Sequence, residues 1–254
     1  MISIFLSGCL GRMGQVITSL AHDSDDLRVV AGSDLNTNTD PGYPVYQAAS
    51  ECKEEFDVII DFSNPAALPE LFALMRKSGK PAVICTTGLS DDQKSELSDI
   101  SKQQAVFISA NMSLGINILI HLAKQAAQIL YPDFDLEIVE AHHKLKVDAP
   151  SGTALMIADE LNNTLDNQLE YVYDRSSKRE KRAQKELGLH AIRGGTIVGE
   201  HTVIFAGGEE TLSIHHSAQS RDVFARGALA AAKFMNGKEA GMYSMKDLIG
   251  TINS

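Results

Sequence analysis

The stretch that decides the fold reads Ser7-Gly8-Cys-Leu-Gly11-Arg-Met-Gly14. It follows an apolar run, residues 1–6, whose length and composition are typical of a buried strand. After it, apolar residues recur at helical spacing over residues 15–22, and a second strand-like run, residues 27–34, ends on an acid. A strand, a glycine turn, a helix and a strand that ends on an acid 20 residues past the last glycine form the fingerprint of a dinucleotide-binding unit.

The three glycines of this stretch have distinct expected roles. Gly8 permits the tight turn, Gly11 lets the backbone approach a pyrophosphate, and Gly14 allows the helix to pack closely on the strand. The commoner spacing has a glycine where this chain has Leu10, so the loop departs from the usual pattern at that position.

The acid and the residue after it bear on which nicotinamide cofactor binds. Asp34 is placed to accept hydrogen bonds from the ribose hydroxyls of the adenosine half. Leu35 stands where an arginine would be useful for a 2′-phosphate, although Arg12 inside the glycine loop could partly compensate. The sequence therefore favours NADH and leaves NADPH as the alternative.

Further strand-like runs continue this alternation along the chain. They are residues 56–62, 81–85 and 104–109. A helix is predicted to start at Ser63-Asn64-Pro65 and to end near residue 77. The second and third runs lead into Thr86-Thr87-Gly88 and Ala110-Asn111-Met112-Ser113. In a doubly wound sheet the carboxyl ends of the strands hold the cofactor, so both turns are expected beside it.

The pattern changes after Leu114. A long helix is predicted over residues 116–130, a strand over 134–140 and a helix from Ser151 to about residue 165. Four strand-like runs then follow without long helices between them, over residues 170–173, 189–193, 201–206 and 211–217. A last helix, residues 222–234, is expected to pack back on the first domain.

We therefore predict an α/β protein with an N-terminal Rossmann-like doubly wound parallel sheet and a second α+β domain built on a mixed, mostly antiparallel sheet. The dinucleotide-binding domain is expected to comprise residues 1–113 and 222–254, and the substrate-binding and oligomerisation domain residues 114–221. Residues 175–182 are strongly basic and are predicted to form a solvated, mobile loop. One face of the second sheet has no helices of its own to cover it, which favours oligomerisation.

Composition and charge narrow the function classes. The 254-residue chain is 44% hydrophobic with a formal net charge of −10, which argues against nucleic acid or an anionic membrane as a partner. Its three cysteines lack CxxC spacing, which favours a reducing cytoplasm and argues against a structural zinc site. The first apolar run is too short for a signal peptide, and no run approaches the length of a membrane span. We expect a cytoplasmic protein.

The run Glu140-Ala-His-His-Lys-Leu-Lys-Val-Asp-Ala-Pro-Ser-Gly-Thr-Ala154 concentrates positive charge in this acidic chain. It holds four potential cations, which are His142, His143, Lys144 and Lys146. Ser151 is a good N-cap, so the first N–H groups of the next helix, at Gly152 and Thr153, would point outward and favour an anion. Imidazoles can move protons near pH 7. The combination predicts a site for a small carboxylate substrate.

This run closely resembles the signature of the 4-hydroxy-tetrahydrodipicolinate reductase family, also called dihydrodipicolinate reductase. The resemblance covers nearly the whole chain and includes residues 8–14, 61–63, 86–88, 111–117, 193–201 and 220–227. It departs at Cys85, where the family usually has glycine. The resemblance implies an NAD(P)H-dependent reduction of the cyclic product of pyruvate and aspartate semialdehyde, on the diaminopimelate and lysine pathway. It also implies a homotetramer assembled through the second-domain sheet.

The resemblance further implies roles for individual residues. His142 matches the proton donor and Lys146 the second catalytic residue. His143, Gly152 and Thr153 match contacts to the substrate carboxylates. The residues that match cofactor contacts are Gly8, Cys9, Leu10, Gly11, Arg12 and Met13 in the pyrophosphate loop, Asp34 at the ribose, and Cys85, Thr86, Thr87, Ser109, Ala110, Asn111 and Met112 on the nicotinamide side.

The chemistry agrees with these residues and needs no metal. Hydride addition to a conjugated ring carbon leaves a neighbouring atom that must be protonated, and an imidazole suits that step. Lys146 and the helix start would hold two carboxylates and orient the ring. The histidines show no zinc spacing; His215 and His216 are expected on opposite faces of a strand, and a structural or a direct role stays open for His201.

Two other functions stay open from the residues alone. A nicotinamide-dependent dehydrogenase for an amino or keto acid would share the glycine loop but has no need of His-His-x-x-Lys followed by Pro-Ser-Gly-Thr. A non-catalytic nucleotide sensor would bind NADH without turnover and has little use for the cationic run.

Overall fold

The structure is a computed structural model and describes residues 1–37 and 39–250. The chain divides into two compact units. Unit 1 comprises Met1–Leu114 and Asp222–Ser254, and unit 2 comprises Gly115–Arg221, so that Leu114 falls in unit 1. Within the described ranges, no helix is both long and apolar enough to cross a membrane.

Strands and helices alternate along unit 1, and strands predominate in unit 2. The strands are β1 (Ile2–Ser7), β2 (Leu27–Ser33), β3 (Val45–Tyr46), β4 (Val58–Asp61), β5 (Ala82–Ile84), β6 (Ala105–Ile108), β7 (Asp135–His142), β8 (Glu170–Val172), β9 (Glu186–Arg193), β10 (Gly199–Ala206), β11 (Thr211–Ala218) and β12 (Gly241–Tyr243). The helices are α1 (Arg12–His22), α2 (Leu68–Ser78), α3 (Asp91–Ser101), α4 (Leu114–Leu130), α5 (Gly152–Thr164), α6 (Asp222–Met235) and α7 (Met245–Gly250).

The sheet of unit 1 is parallel throughout, in the order β12-β6-β5-β4-β1-β2-β3. The chain starts at β1 and winds outward in both directions, which confirms the predicted doubly wound sheet. The register places Ser7 beside both Ser33 and Asp61. The loops that follow β1, β2 and β4 therefore leave from one edge of the sheet.

Successive side chains of β1 enter two separate apolar cores. Ile4 and Leu6 pack with α1 and α6 in one core, whereas Phe5 packs with α2 and α3 in the other. All three side chains are fully buried, and burial of each contributes about 1.5–3 kcal/mol. Helices cover both faces of this parallel sheet, and a strand buried on both faces must be apolar at successive positions. The presence of α6 in the first core confirms that the last long helix packs on unit 1.

Several short elements and one helix of unit 1 were not predicted. They are α3, β3, β12 and α7. Helix α3 buries little apolar surface, so its hydrophobic pattern is weak. Its start carries a capping box, in which the Ser90 hydroxyl accepts the Gln93 N–H and the Gln93 side chain accepts the Ser90 N–H. That Ser-x-x-Gln spacing was the signal that could have revealed it.

Helix α2 starts later than the sequence predicted. The chain first makes a single 3₁₀ turn over Pro65–Ala67, and the Asn64 side chain accepts the Ala66 N–H at 3.0 Å. The α-helix begins at Leu68 and ends at Gly79, which adopts the left-handed conformation that favours glycine.

Unit 2 is built on a mixed sheet with the order β11-β10-β7-β9-β8. Strand β10 pairs antiparallel with β11 over eight residues and with β7 over seven, whereas β7–β9 and β8–β9 are parallel. Helices α4 and α5 pack on one face of this sheet and enclose the core of the unit. The predicted second α+β domain on a mixed sheet is confirmed.

The basic segment 175–182 is a loop with residues 176–181 exposed, which confirms the predicted solvated loop, and it is held at both ends. Arg175 donates to Glu186 at 2.7 and 2.6 Å. Arg182 donates to Asp135 at 2.6 Å and to Glu137 at 2.9 Å. The sequence run could not reveal these partners because they lie on β7 and β9.

Gly227 provides a direct test of how α6 packs against the rest of unit 1. A Cβ at this position would lie 1.7 Å from the carbonyl oxygen of Met112, which is backbone and cannot rotate away. We expect Gly227→Ala to lower the free energy of unfolding by about 1–3 kcal/mol, with a matching fall in Tm. Gly250→Ala is the matched control, because nothing lies within 4 Å of its added Cβ. Equal Tm values for both variants would contradict the observed packing.

Candidate active site

A tight glycine turn joins β1 to α1. Gly8 has φ +77°, and a Cβ there would lie 2.5 Å from the carbonyl oxygen of Phe62. A Cβ at Gly14 would lie 2.3 Å from the carbonyl oxygen of Gly8. The N–H groups of Gly8 and Cys9 both donate to the Ser33 carbonyl, at 2.8 and 3.2 Å. The turn therefore has no room for side chains at either glycine, as the spacing predicted.

The start of α1 is the part of the loop that is open to an anion. The Leu10 N–H donates to the Asp34 carboxylate at 3.0 Å, and the Gly11 N–H donates to the turn at 3.2 Å. Helix α1 then begins at Arg12 with no side-chain cap and no acid in its first turn. An uncapped helix start favours a phosphate, which agrees with the expectation that Arg12 and Met13 contact a pyrophosphate.

The Cys9 side chain packs inside unit 1. A Cβ at Gly32 would lie 2.7 Å from the Cys9 sulfur, which shows how closely β2 approaches it. Burial, with Asp34 nearby, raises the pKa of the Cys9 thiol to about 11. The thiol therefore stays protonated and serves packing, and any contact of this residue with a cofactor is through its backbone.

Two cavities follow the carboxyl edge of the unit 1 sheet and share Phe62 and Ser63 in their walls. The first, of about 340 Å³, is lined by residues that include Gly8, Gly11, Asp34, Leu35, Phe62 and Ser63. The second, of about 380 Å³, is lined by Met13, Phe62, Ser63, Cys85, Thr86, Thr87, Ala110, Met112 and Phe224. The two cavities adjoin at these shared residues, and we refer to them together as the groove; one contains the acid expected to bind a ribose and the other the predicted nicotinamide side. A groove of this kind fits an extended dinucleotide.

Ser109 and Asn111 shape the far end of this groove without lining it. The Ser109 hydroxyl donates to the Asn111 carbonyl at 2.8 Å and accepts the Asn111 N–H at 3.2 Å. The Asn111 side chain accepts the Ser113 N–H at 2.9 Å. These contacts fix the turn after β6, which places Ala110 and Met112 in the wall of the second cavity.

The residues that end β4, which had no predicted role, also belong to this edge of the sheet. Asp61 is fully buried, and its burial raises the pKa of its carboxyl group. Its Oδ1 accepts the Ser63 N–H at 3.2 Å, while Oδ2 and the Thr86 hydroxyl have no hydrogen-bond partner among the described residues. The position of Asp61-Phe62-Ser63 at the end of a strand beside β1 was the signal for this part of the groove.

In unit 2, Glu140 and His142 project from the same face of β7, since they are two residues apart on a strand. The His142 Nδ1 lies 2.6 Å from Glu140 Oε2. Burial lowers the pKa of His142, and the hydrogen bond and charge of Glu140 oppose that effect. The predicted proton donor is thus a buried imidazole that is hydrogen-bonded to a buried carboxylate.

Lys146 lies in the loop between β7 and α5 and makes an ion pair with Asp148, with Nζ 3.0 Å from Oδ1. The hydrogen bond from Lys146 lowers the pKa of Asp148, and the backbone N–H of Gly152 acts in the same direction. The start of α5 and Lys146 therefore already hold a carboxylate, which belongs to the protein itself. That the N–H groups at Gly152 and Thr153 bind a substrate carboxylate stays a prediction.

His143 also faces a cation. Its Nε2 lies 3.5 Å from Nη2 of Arg221, a residue to which the sequence analysis gave no role. The Lys146 N–H donates to the His143 carbonyl at 3.1 Å, which fixes the loop between these two predicted substrate-binding residues. The loop thus brings His143 close to Arg221 and connects it through the backbone to Lys146.

Ser151 caps α5 as predicted, and His201 supports it. The Ser151 hydroxyl accepts the Ala154 N–H at 3.2 Å and lies 3.2 Å from His201 Nε2. Burial lowers the pKa of His201 to about 4, so this imidazole is neutral near pH 7. The contact with Ser151 favours the structural role of the two that the sequence left open for His201. Within the described residues, no cluster of His, Cys, Asp or Glu is arranged to hold a metal ion.

His215 and His216 project from opposite faces of β11, as predicted. His215 Nδ1 lies 2.8 Å from the Thr202 hydroxyl on an exposed face. A Cβ at Gly115 would lie 2.7 Å from His216 Nε2, so His216 packs under the start of α4.

Comparison with known proteins identifies the same family over both units. Residues 2–112 match the family model described as "Dihydrodipicolinate reductase, N-terminus", and residues 115–249 match "Dihydrodipicolinate reductase, C-terminus". The chain is 53% identical over 249 residues to 4-hydroxy-tetrahydrodipicolinate reductase of Caldanaerobacter subterraneus, covering 98% of each chain. It is 45% identical over 251 residues to the enzyme of that name from Clostridium tetani, covering 99% of this chain and 98% of that one.

A solved structure supports the fold. Dihydrodipicolinate reductase from Paenisporosarcina sp. TG-14, with dipicolinate bound, superimposes with a TM-score of 0.82 at 22% identity, over 96% of this chain and 97% of that one. At this identity the likeness concerns the fold alone. Because the family models and the relatives together cover almost the whole chain, this protein belongs to the dihydrodipicolinate reductase family.

Proposed function

We propose that this protein catalyses the NAD(P)H-dependent reduction of 4-hydroxy-tetrahydrodipicolinate to tetrahydrodipicolinate, in diaminopimelate and lysine biosynthesis. The observation that carries the proposal is the pairing of Lys146 and the start of α5 with the carboxylate of Asp148. This pairing supports the proposal, because it brings a carboxylate to the same loop that carries the predicted substrate ligands. Membership of the family, and the dicarboxylate bound to the structural neighbour, support the same substrate class.

The substrate carboxylates are held, in this proposal, by His143, Lys146 and the N–H groups of Gly152 and Thr153. One substrate carboxylate takes the place of Asp148 at Lys146. The Lys146 side chain is 23% exposed and that of Asp148 is 58% exposed, so their pair is reachable from solvent. Exposed ion pairs contribute only about 0–1 kcal/mol, and a ligand with two carboxylates can displace one of them.

In the proposed chemistry the C–OH bond of the substrate breaks, and the hydroxyl leaves as water with a proton from the neighbouring ring carbon. The conjugated ring that results takes up one hydride and one proton. Bound reduced nicotinamide supplies the hydride. His142 donates the proton to the ring atom next to the reduced carbon, and Lys146 and the helix start hold the ring so that this atom faces the imidazole. The reaction needs no metal.

The groove of unit 1 is the proposed cofactor site. Asp34 binds the ribose hydroxyls, residues 8–13 and the start of α1 hold the pyrophosphate, and Thr86, Thr87 and Met112 face the nicotinamide end. We propose NADH as the preferred cofactor. Leu35 is 77% exposed beside Asp34 and offers no charge to a 2′-phosphate, which NADPH would require.

An assay of the two predicted catalytic residues tests the function. The upstream synthase supplies substrate, and the loss of reduced-nicotinamide absorbance is followed. We expect His142→Gln to lower kcat about 10²–10⁴-fold, because the proton donor is lost. We expect Lys146→Ala to lower kcat/KM roughly 10–100-fold, which corresponds to a charge-assisted hydrogen bond of about 1.5–3 kcal/mol.

Two exposed residues provide matched controls, His22→Gln on α1 and Lys185→Ala before β9. Both controls should keep wild-type rates. If the folded wild type bound NADH and showed no turnover, the reductase would be excluded and the sensor favoured. Turnover of an amino or keto acid instead would favour the dehydrogenase.

A substitution beside Asp34 tests the cofactor preference. We expect Leu35→Arg to raise kcat/KM for NADPH relative to NADH by about tenfold or more, because it supplies a cation for the 2′-phosphate. Leu35→Gln has a similar length without the charge and should leave the ratio near the wild-type value. A wild type that preferred NADPH would contradict the proposed preference and would assign the 2′-phosphate to another cation, of which Arg12 is the nearest candidate in sequence.

We further propose a cytoplasmic homotetramer assembled on the sheet of unit 2. Helices α4 and α5 cover one face of that sheet, and Ile192, on the other face, is 52% exposed. Three buried free cysteines agree with a reducing compartment.

Sedimentation measures the assembly. We expect a mass of four 27.5 kDa chains. Ile192→Asp should shift the protein to smaller species, because it places a charge in the buried interface. The control Leu35→Gln lies in unit 1 and should leave the mass unchanged. A wild type that sediments as a single chain would rule out the tetramer.

A further inference from the structure

We propose that Glu140 is a positioning residue for His142, and that Arg193 holds Glu140 in the ionised form that this role requires. The inference rests on the proposed function, in which His142 donates a proton. It extends that function to two residues on neighbouring strands that the sequence analysis left without a role. The juxtaposition that supports it is a buried carboxylate enclosed by four donors from three residues.

The two oxygens of Glu140 are both fully used. Oε2 lies 2.6 Å from His142 Nδ1 and accepts from Arg193 Nη1 at 2.8 Å. Oε1 accepts from Arg193 Nη2 at 2.7 Å and from the Ser151 N–H at 3.0 Å. The Glu140 side chain is only 1% exposed, so these contacts replace water completely. A single side chain thus connects β7, β9 and the start of α5.

This arrangement accepts a carboxylate and excludes its neutral isostere. A carboxylate has only acceptors, whereas glutamine must turn its NH₂ group toward one of the two sides. On either side it would meet a guanidinium N–H of Arg193, together with Ser151 or His142. Burial would raise the pKa of Glu140, but the hydrogen bonds from Arg193 and His142 outweigh burial and the net effect lowers it. Glu140 is therefore ionised at neutral pH.

The ionised carboxylate fixes the tautomer of His142. It accepts Nδ1–H, so that the proton exchanged with a substrate is the one on Nε2. Nε2 points past Gly199, where an added Cβ would lie 3.1 Å away. The His201 ring lies at right angles to His142, with centroids 5.3 Å apart, and limits rotation of the imidazole. The direction of Nε2 is thus determined by contacts on β7 and β10.

Four groups face His142 from the elements around it. Glu140 on β7 is the anion. Arg193 on β9 and Lys146 in the loop between β7 and α5 are cations, and His201 on β10 is neutral. Loss of the Glu140 charge should lower the pKa of His142. Loss of the Arg193 charge should raise it. Shifts of the His142 pKa in opposite directions are therefore expected for the two variants. General damage to the site would not produce such a pair of opposite shifts.

The pH dependence of kcat/KM tests the proposal. His142 must be protonated to donate, so kcat/KM falls as pH rises through the pKa of His142 in the free enzyme. We expect Glu140→Gln to move this alkaline limb down by about 1–3 pH units, as expected when a close opposite charge is lost. Arg193→Gln should move it upward. Arg193→Lys, which retains the charge, should restore it toward the wild-type position.

The titration of His142 followed by NMR gives a second readout that does not depend on turnover. The Nδ1–H tautomer should dominate in the neutral wild type and be lost in Glu140→Gln. Glu170→Gln, an exposed acid at the start of β8, is the matched control and should move neither the limb nor the titration.

The outcomes separate this inference from the proposed function. An inactive wild type, or a fully active His142→Gln, would contradict the function itself. A different result would overturn the positioning role alone. In that case the wild type is active and His142→Gln is inactive, but the alkaline limbs of Glu140→Gln and Arg193→Gln stay in place or move in the same direction. If Glu140→Gln fails to fold, the two Arg193 variants test the proposal on their own. An alkaline limb of the kcat/KM profile that stays at its wild-type pH in Arg193→Gln would then overturn it.

Discussion

The buried carboxylate of Glu140 is the constraint on which the candidate site of unit 2 depends. A charge taken out of water is strongly unfavourable unless hydrogen bonds and an opposite charge replace the solvent. Arg193 provides two such bonds, and the same guanidinium also donates to the Asp148 carbonyl at 2.6 Å. The ion pair therefore fixes the ends of β7 and β9 and the loop that carries the candidate substrate ligands. The position of His142 and the start of α5 both follow from it.

Much of the fold could be predicted because its signals are local. The glycine turn, the apolar strands and the acid at Asp34 occur within the first 34 residues, and the parallel sheet follows from their spacing. Elements whose stability comes from capping or from a sheet edge were missed, as α3 and β12 show. Their apolar content is too small to produce a periodic pattern, and tertiary contacts decide them.

The site residues, too, could be predicted only where their signal is local in the sequence. His142, His143 and Lys146 could be found because one short loop carries them all. Arg193 could not, since it reaches His142 only through the parallel register of β7 and β9, which pairs residues 51 positions apart in the chain. Arg182 shows the same limit, because its basic run appeared solvent-facing in sequence while its partners lie on another strand. The sequence shows the chemistry of each side chain, but it does not show which residues on other strands that side chain will contact.

The placement of charge explains how an acidic chain can bind two anions. A net charge of −10 repels a dicarboxylate and a dinucleotide at long range, but salt limits that repulsion to about 8–10 Å. Binding therefore depends on the local field. In unit 1 that field comes from the uncapped start of α1, which carries no acid in its first turn.

In unit 2 the field comes from side chains, and Asp148 moderates it. Without a ligand, Asp148 neutralises Lys146 and satisfies the start of α5, so the loop is not left with opposed positive groups. In the proposed site, a substrate carboxylate takes the place of Asp148, gains its partners and releases Asp148 to water, where the charge of this half-exposed side chain is well solvated. The exchange costs little because one carboxylate replaces another at an unchanged set of donors. We expect selectivity for a dicarboxylate to come from the second carboxylate, for which Asp148 has no counterpart and which His143 is proposed to bind.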